Sequence, residues 1–482
     1  LFSLFNLKLP ILGNLSFFKY NSMKLFSPET YTKRRQKLMK TVGSGLILLC
    51  GNDEAPMNYE HNTYRYRQDS TFLYYFGLNF AGLNATLNCD TNEVTLFGNE
   101  LTIDEIIIVG PQLALVELAE KVGVPNVQPT NKLSNQLSKA KKVHFLPPYR
   151  FENKQKLSNW LGIAVIKLAD NVSDELVYAV VAQRQHKTAE EVAEMEAAVN
   201  ASRAMHIAAM RATQVGKKEY EIVAELYGTA KRFGGELAYP AILSINGQTL
   251  HNHYHGNELT SGRLLLNDSG VELEMGYCGD ITRTFPVDKK FTQQQREIYE
   301  IVLEMEELVI ESLKPGVQYR DCHIASNRLM LNKFTGLGIV HGDIEEMLEA
   351  GVGGIFMPHG LGHMIGLDVH DMEDLGEKFV GYDKDTERSA QMGLKSLRLA
   401  KELAEGFVIT VEPGIYFIPQ LIDKMKADKQ YLDFVNYDKL EQYRDFGGIR
   451  IEDDILITEN GYRVLGEHIP KTIAEIEDLR HA

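Results

Sequence analysis

The sequence predicts an α/β amino-terminal domain followed by an α+β carboxy-terminal domain, and three observations carry that prediction. At 482 residues the chain is too long for one ordinary core. From Pro28 to about Leu168, short apolar runs alternate with turn signals. From His186 onwards, long amphipathic segments with helix-start signals alternate with strand-like runs interrupted by carboxylates and imidazoles.

Residues 1–22 are apolar but broken by Lys8, Pro10, Gly13 and Asn14, so no run reaches the ~18 apolar residues of a spanning helix. They also lack the basic start and small-residue cleavage site of a good signal peptide. The segment reads as a non-native extension before Met23, and a cytoplasmic location is expected. The amino-terminal domain is placed at 23–172. Runs at 44–52, 82–90, 92–99, 104–112 and 141–148 predict a central sheet, with a helix over 113–124 after the fourth strand. No GxGxxG or GxxxxGKS follows a strand, so nucleotide binding is not supported. A linker is expected near Ser173–Tyr178, and the second domain over 177–482.

Thr188 is the expected N-cap of a helix whose first turn is acidic, an arrangement that suits the helix dipole. A second long helix is predicted within 292–316, with Ile298, Ile301, Val302 and Met305 as its core stripe. The charged, tyrosine-rich segment 418–446 reads as a solvated loop with a short helix, or else as a lid or subunit contact. A net charge of −15 argues against nucleic acid or an anionic membrane as partner. Cys50, Cys89, Cys278 and Cys322 form no CxxC pair and read as free thiols of a reducing compartment.

The chemistry is expected in four stretches, 264–287, 356–371, 408–417 and 447–458. In each, Asp268, Asp280, His363, Glu412 or Glu452 interrupts an apolar or glycine-rich run. An unpaired charge there would cost several kcal/mol (about 2–7 even for an uncharged polar group) or shift its pKa until neutral, and a divalent cation relieves that cost. Oxygen-rich ligation with one imidazole suits manganese, cobalt or zinc, and no thiolate pattern points to a structural zinc site. Strand alternation places Asp280, Thr282 and Thr284 on one face, and Arg450 with Glu452 on another.

The motifs GYCGDITRTFP, HGLGH, DVHD, VEPGIY and GIRIEDD resemble those of the pita-bread metallopeptidases, in the Xaa-Pro branch that contains aminopeptidase P and prolidase. The resemblance covers about Glu190 to Thr458, and YRYRQDSTFLYYFGL (64–78) is similar to the amino-terminal domain of aminopeptidase P. One departure is the 12-residue interval from Asp268 to Asp280, one longer than the family spacing; a turn within Glu272–Met275 would absorb it.

The resemblance implies a creatinase/aminopeptidase-like catalytic fold and two divalent ions, most readily Mn2+ with Zn2+ or Co2+ as alternatives. Asp280 and Glu452 would bridge them, Asp268 would bind one, and His363 with Glu412 the other. Two such ions would lower the pKa of a shared water towards ~7 and make hydroxide the nucleophile. By the same likeness His370 would stabilise the tetrahedral intermediate, and His359 would line the substrate cleft. The Tyr239 and His-Tyr pattern favours His253 as proton relay, while counting back from Asp268 favours His251 equally. Arg450 would orient the bridging carboxylate or a substrate carbonyl, and Glu412 would also shuttle a proton. The implied activity is release of an N-terminal residue that precedes proline. Prolidase cleavage of Xaa-Pro dipeptides is the alternative, and a non-enzymatic binding protein the reading from another class. A homodimer or tetramer is implied as well.

Overall fold

The computed structural model describes residues 23–481, and the extension read at 1–22 lies outside them. The chain divides between Gln183 and Arg184 into two compact units. In the first, five strands form one mixed sheet in the order Asn126–Pro129, Glu93–Gly98, Asn84–Asn88, Leu46–Cys50, Val143–Phe145. The three central strands are antiparallel neighbours, with Leu48 opposite Thr86 and Thr86 opposite Thr95. Leu46, Leu48, Phe97 and Phe145 pack on Leu133, Leu137 and Leu157 from the covering helices.

The strand expected over 104–112 is instead a helix, Ile103–Val109. Thr102 and Glu105 form a reciprocal capping box, so the local start signal overrides the strand preference of three consecutive isoleucines. None of its residues is buried, and Asn126–Pro129 takes the vacant place in the sheet. The Ser173–Tyr178 stretch, read as a linker, begins the helix Asp174–Arg184, with the Ser173 hydroxyl accepting from Leu176 N–H.

The second unit repeats one pattern. A helix pair, Ala189–Ala212 and Glu219–Arg232, leads into the antiparallel strands Ile242–Ser244, Leu264–Asp268 and Thr282–Pro286. Another pair, Gln293–Ser312 and Tyr319–Gly336, precedes the antiparallel strands Val408–Val411, Gly414–Tyr416, Gly448–Arg450 and Asp453–Thr458. The first helix of each pair starts on a capping box, at Thr188 with Glu191 and at Thr292 with Gln295. Ile298, Ile301, Val302 and Met305 are buried as expected. A bridge between Thr282 and Glu452 joins the two strand sets, and there the acidic residues meet.

Between Asp268 and Asp280 the chain forms the short strand Val271–Glu272 and a turn at Glu274–Met275. Segment 418–446 forms the helices Pro419–Ala427 and Tyr437–Leu440 and stacks Tyr443 on Phe417. No disulfide forms among the described residues, and none of their helices is long and apolar enough to cross a membrane.

Candidate metal centre

Asp268 ends its strand, and Asp280 lies two residues before the strand paired with it, at a register that sets Asp268 opposite Thr282. Glu412 follows the strand Val408–Val411, and Glu452 lies between Gly448–Arg450 and Asp453–Thr458. His363 comes from the glycine-flanked turn 359–363. That turn runs so close to its neighbour that a Cβ at Gly362 would lie 2.1 Å from Thr410 O, which only glycine tolerates.

Asp280, His363 and Glu452 each bring a ligand atom within 4.8 Å of the others, and all three are buried. Glu412 flanks this trio, its Oε1 3.6 Å from His363 Nε2, while Asp280 Oδ2 lies 3.4 Å from the same nitrogen. Asp268 adjoins on the other side, because the Tyr239 hydroxyl contacts both Asp268, at 2.6 Å, and Asp280. His363 Nδ1 faces Met364 O at 3.0 Å, which fixes the proton on Nδ1 and turns Nε2 towards the carboxylates.

The electrostatics are those of a site built for cations. Four carboxylates crowd together here, with Arg450 and His363 among the groups that offset them. Burial and mutual repulsion raise Asp268 and Glu452 above the ordinary carboxylate range and push Glu412 up to about 7. Asp280 is lowered: burial acts against ionisation, but His363 outweighs it. Burial disfavours charged His363 as well, yet Asp280 and Glu412 pull it up to about 9. A proton thus sits on Nε2 where a metal would bind, and divalent ions would replace it while balancing the carboxylate excess. The donor set fits the group.

The supporting groups are equally specific. Thr282 O–H donates to Glu452 Oε2 at 2.5 Å. Arg450 pairs with Asp268, and its Nε donates at 3.2 Å to Thr282 Oγ1, the hydroxyl that holds Glu452. Arg450 Nη1 donates to the Tyr416 hydroxyl at 2.6 Å, and that hydroxyl meets His359 Nε2 at 2.9 Å. His359 Nδ1 is 2.7 Å from Gly360 O, so Nδ1 carries the proton and Nε2 accepts from Tyr416. Burial and Arg450 lower His359 to about 3, leaving a neutral wall group rather than a base. His370 packs its ring 4.2 Å from that of His363 and sets Nδ1 3.0 Å from Glu373.

Asp268, Asp280, His363, Glu412, Glu452, Tyr239, Arg450, His359 and His370, with His251 and His253, line one cavity of about 560 Å³. His251 and His253 of the HNHYH cluster both reach the wall, so the choice between them stays open. Segment 418–446 contributes no residue to that wall. Tyr416 was not anticipated; it is the tyrosine of VEPGIYF, on a strand paired with the one that carries Arg450. Lys395 and Arg398 also line the cavity, from a segment with no motif to mark it.

Residues 193–459 match metallopeptidase family M24, and residues 31–144 match the aminopeptidase P N-terminal domain. The human Xaa-Pro dipeptidase is 32% identical over 457 residues, 92% of this chain and 90% of its own length. A probable Xaa-Pro aminopeptidase of Talaromyces marneffei is 32% identical over 90% of this chain and 92% of its own. The solved structure of Escherichia coli aminopeptidase P with the inhibitor Pro-Leu superposes with a TM-score of 0.79 at 30% identity, covering 95% of this chain and 99% of that one. The chain belongs to metallopeptidase family M24, with the pita-bread catalytic fold and an aminopeptidase P-type amino-terminal domain.

Proposed function

We propose that this member of the M24 family is a metal-dependent Xaa-Pro aminopeptidase, which removes an N-terminal residue from peptides with proline second. The observation that carries the reading is the convergence of Asp268, Asp280, His363, Glu412 and Glu452 on one buried cavity wall. These five would hold two divalent ions, which would lower the pKa of a shared water towards about 7 and so supply the nucleophile. Manganese is the metal we favour, from oxygen-rich donors with a single imidazole.

The chain's own groups do the rest. Met364 O orients His363, Thr282 holds Glu452, and Arg450 holds Asp268 while fixing His359 through Tyr416. His370, on the cavity wall, would donate to the developing oxyanion, and His253 or His251 would pass a proton or polarise the substrate carbonyl. Glu412, on the same wall, would also carry a proton to the leaving nitrogen. That nitrogen belongs to a tertiary amide without an N–H, and Ile242, Leu250 and Val369 on the same wall support an apolar slot for its ring. Tyr239 and His359 would border the bound peptide.

A second reading, hydrolysis of Xaa-Pro dipeptides, is favoured by Lys395 and Arg398 on the wall, where a dipeptide's free carboxylate would find a cation. A homo-oligomer is supported by the apolar helix Ile103–Val109, whose Ile107 and Ile108 are 76% and 75% exposed. A cytoplasmic location goes with cysteines that form no disulfide. The test is hydrolysis of Xaa-Pro and Xaa-Pro-Yaa peptides by metal-stripped protein with manganese, zinc or cobalt added back. Restored cleavage of the longer peptides is expected. Activity indifferent to chelation, or none with any metal, refutes the proposal.

A further inference from the structure

The loop that carries both central imidazoles is held from behind by a buried ion cluster that no step above uses. Asp371 is 1% exposed, and each of its oxygens meets a cation: Oδ1 accepts from Arg184 Nη2 at 2.6 Å, and Oδ2 from Lys187 Nζ at 2.9 Å. Arg184 Nη2 also reaches Asp368 Oδ2 at 3.0 Å, which balances two positive with two negative charges. Both cations come from the segment just before the helix Ala189–Ala212.

The anchoring passes directly to the site. Asp371 N–H donates to Met364 O at 2.8 Å, and the same carbonyl faces His363 Nδ1 at 3.0 Å. The residue before Asp371 is His370, whose ring packs on that of His363. One carbonyl oxygen therefore joins the clamped aspartate to the atom that sets the direction of His363 Nε2. Gly366 keeps the space open, since a Cβ there would lie 2.7 Å from Asp371 Oδ2 and 3.0 Å from Lys187 Cε.

We propose that Arg184 and Lys187, acting through Asp371, are positioning residues that aim His363 and His370 for catalysis. A buried ion pair is weak support for stability, because well-packed apolar groups would serve as well. Its fixed geometry is what an orienting role needs, and loss of an outer partner of a metal-binding histidine typically costs about 10–100-fold in affinity or activity. The inference rests on the proposed metallopeptidase reading, and its test separates the two.

Lys187→Met, Arg184→Met and Arg184→Lys are compared with the parent as full-length, metal-loaded enzymes. The readouts are kcat and KM on an Xaa-Pro-Yaa peptide, the visible spectrum of the Co2+ form, and circular dichroism. We expect both Met variants to lose about tenfold or more in kcat with KM within about twofold, and to show a shifted Co2+ spectrum. Arg184→Lys should recover most of the kcat and the parental spectrum. If the Met variants do not fold, Gly366→Ala and Asp368→Asn probe the same cluster by crowding it and by removing its outer charge, and must shift the spectrum. Folded variants with parental kcat and spectrum, or variants that lose thermal stability alone, overturn the proposal. A parent inactive on every Xaa-Pro peptide overturns the functional reading instead, while the Co2+ spectra still decide the clamp.

Discussion

Replacing Thr282 with valine removes one hydroxyl and almost no volume from the wall that carries Glu452. That hydroxyl donates to Glu452 Oε2 at 2.5 Å and accepts from Arg450 Nε at 3.2 Å, and all three residues are buried, so water cannot substitute for it. A hydrogen bond to a charged group contributes about 1.5–3 kcal/mol. If all of it holds Glu452 in its metal-binding pose, affinity weakens by about 10–150-fold at 1.36 kcal/mol per decade. Titration of metal-stripped protein with Mn2+ by calorimetry reads this directly, with kcat/KM measured at limiting and saturating metal. We expect a dissociation constant raised by about 10–100-fold, a circular dichroism spectrum like the parent's, and activity partly restored by excess metal. A dissociation constant and kcat/KM both within twofold of the parent would refute the role given to this hydroxyl.

Tyr416→Phe leaves Arg450 Nη1 and His359 Nε2 without their shared partner, and should destabilise the protein by about 1–3 kcal/mol in a denaturant titration while lowering kcat/KM. The pH dependence of stability should carry the mark of His206 and His323, both buried and both lowered from 6.5 to about 4 by desolvation. Between those pH values the unfolded chain binds more protons than the folded one, so stability is fully present above about 6.5 and falls as pH drops, by about 1.4 kcal/mol per pH unit per histidine. His206→Gln and His323→Gln should flatten that slope in urea melts recorded from pH 7 to 4. Thr102→Ala removes the capping box of the exposed helix Ile103–Val109 and should cost about 1 kcal/mol, seen as faster amide exchange confined to that helix.

Much of the site was legible because its residues sit in short strand or turn segments whose neighbours are apolar or glycine. Asp268, Asp280, His363, Glu412 and Glu452 stood out as charges with no local reason to be buried, and they line one cavity. Capping boxes at Thr188 and Thr292 marked helix starts directly, because their partners are three residues away. What was hidden depends on distant pairing. Asp268 is 182 residues from Arg450, so no sequence window could show that the guanidinium serves this carboxylate. Tyr416 joins Arg450 and His359 only because two strands pair and the 359–363 turn closes over them. Ile103–Val109 was misread for the opposite reason: residue preference was given more weight than the Thr102 and Glu105 signal at its start.

The central claim is that five side chains gather two cations. Crystals grown with Mn2+, with anomalous scattering recorded at the manganese edge, test it most directly. The account predicts two peaks in the main cavity, with Asp280 and Glu452 touching both, Asp268 one, and His363 with Glu412 the other. Manganese absent from the cavity, or bound without His363 and Glu452, would contradict it.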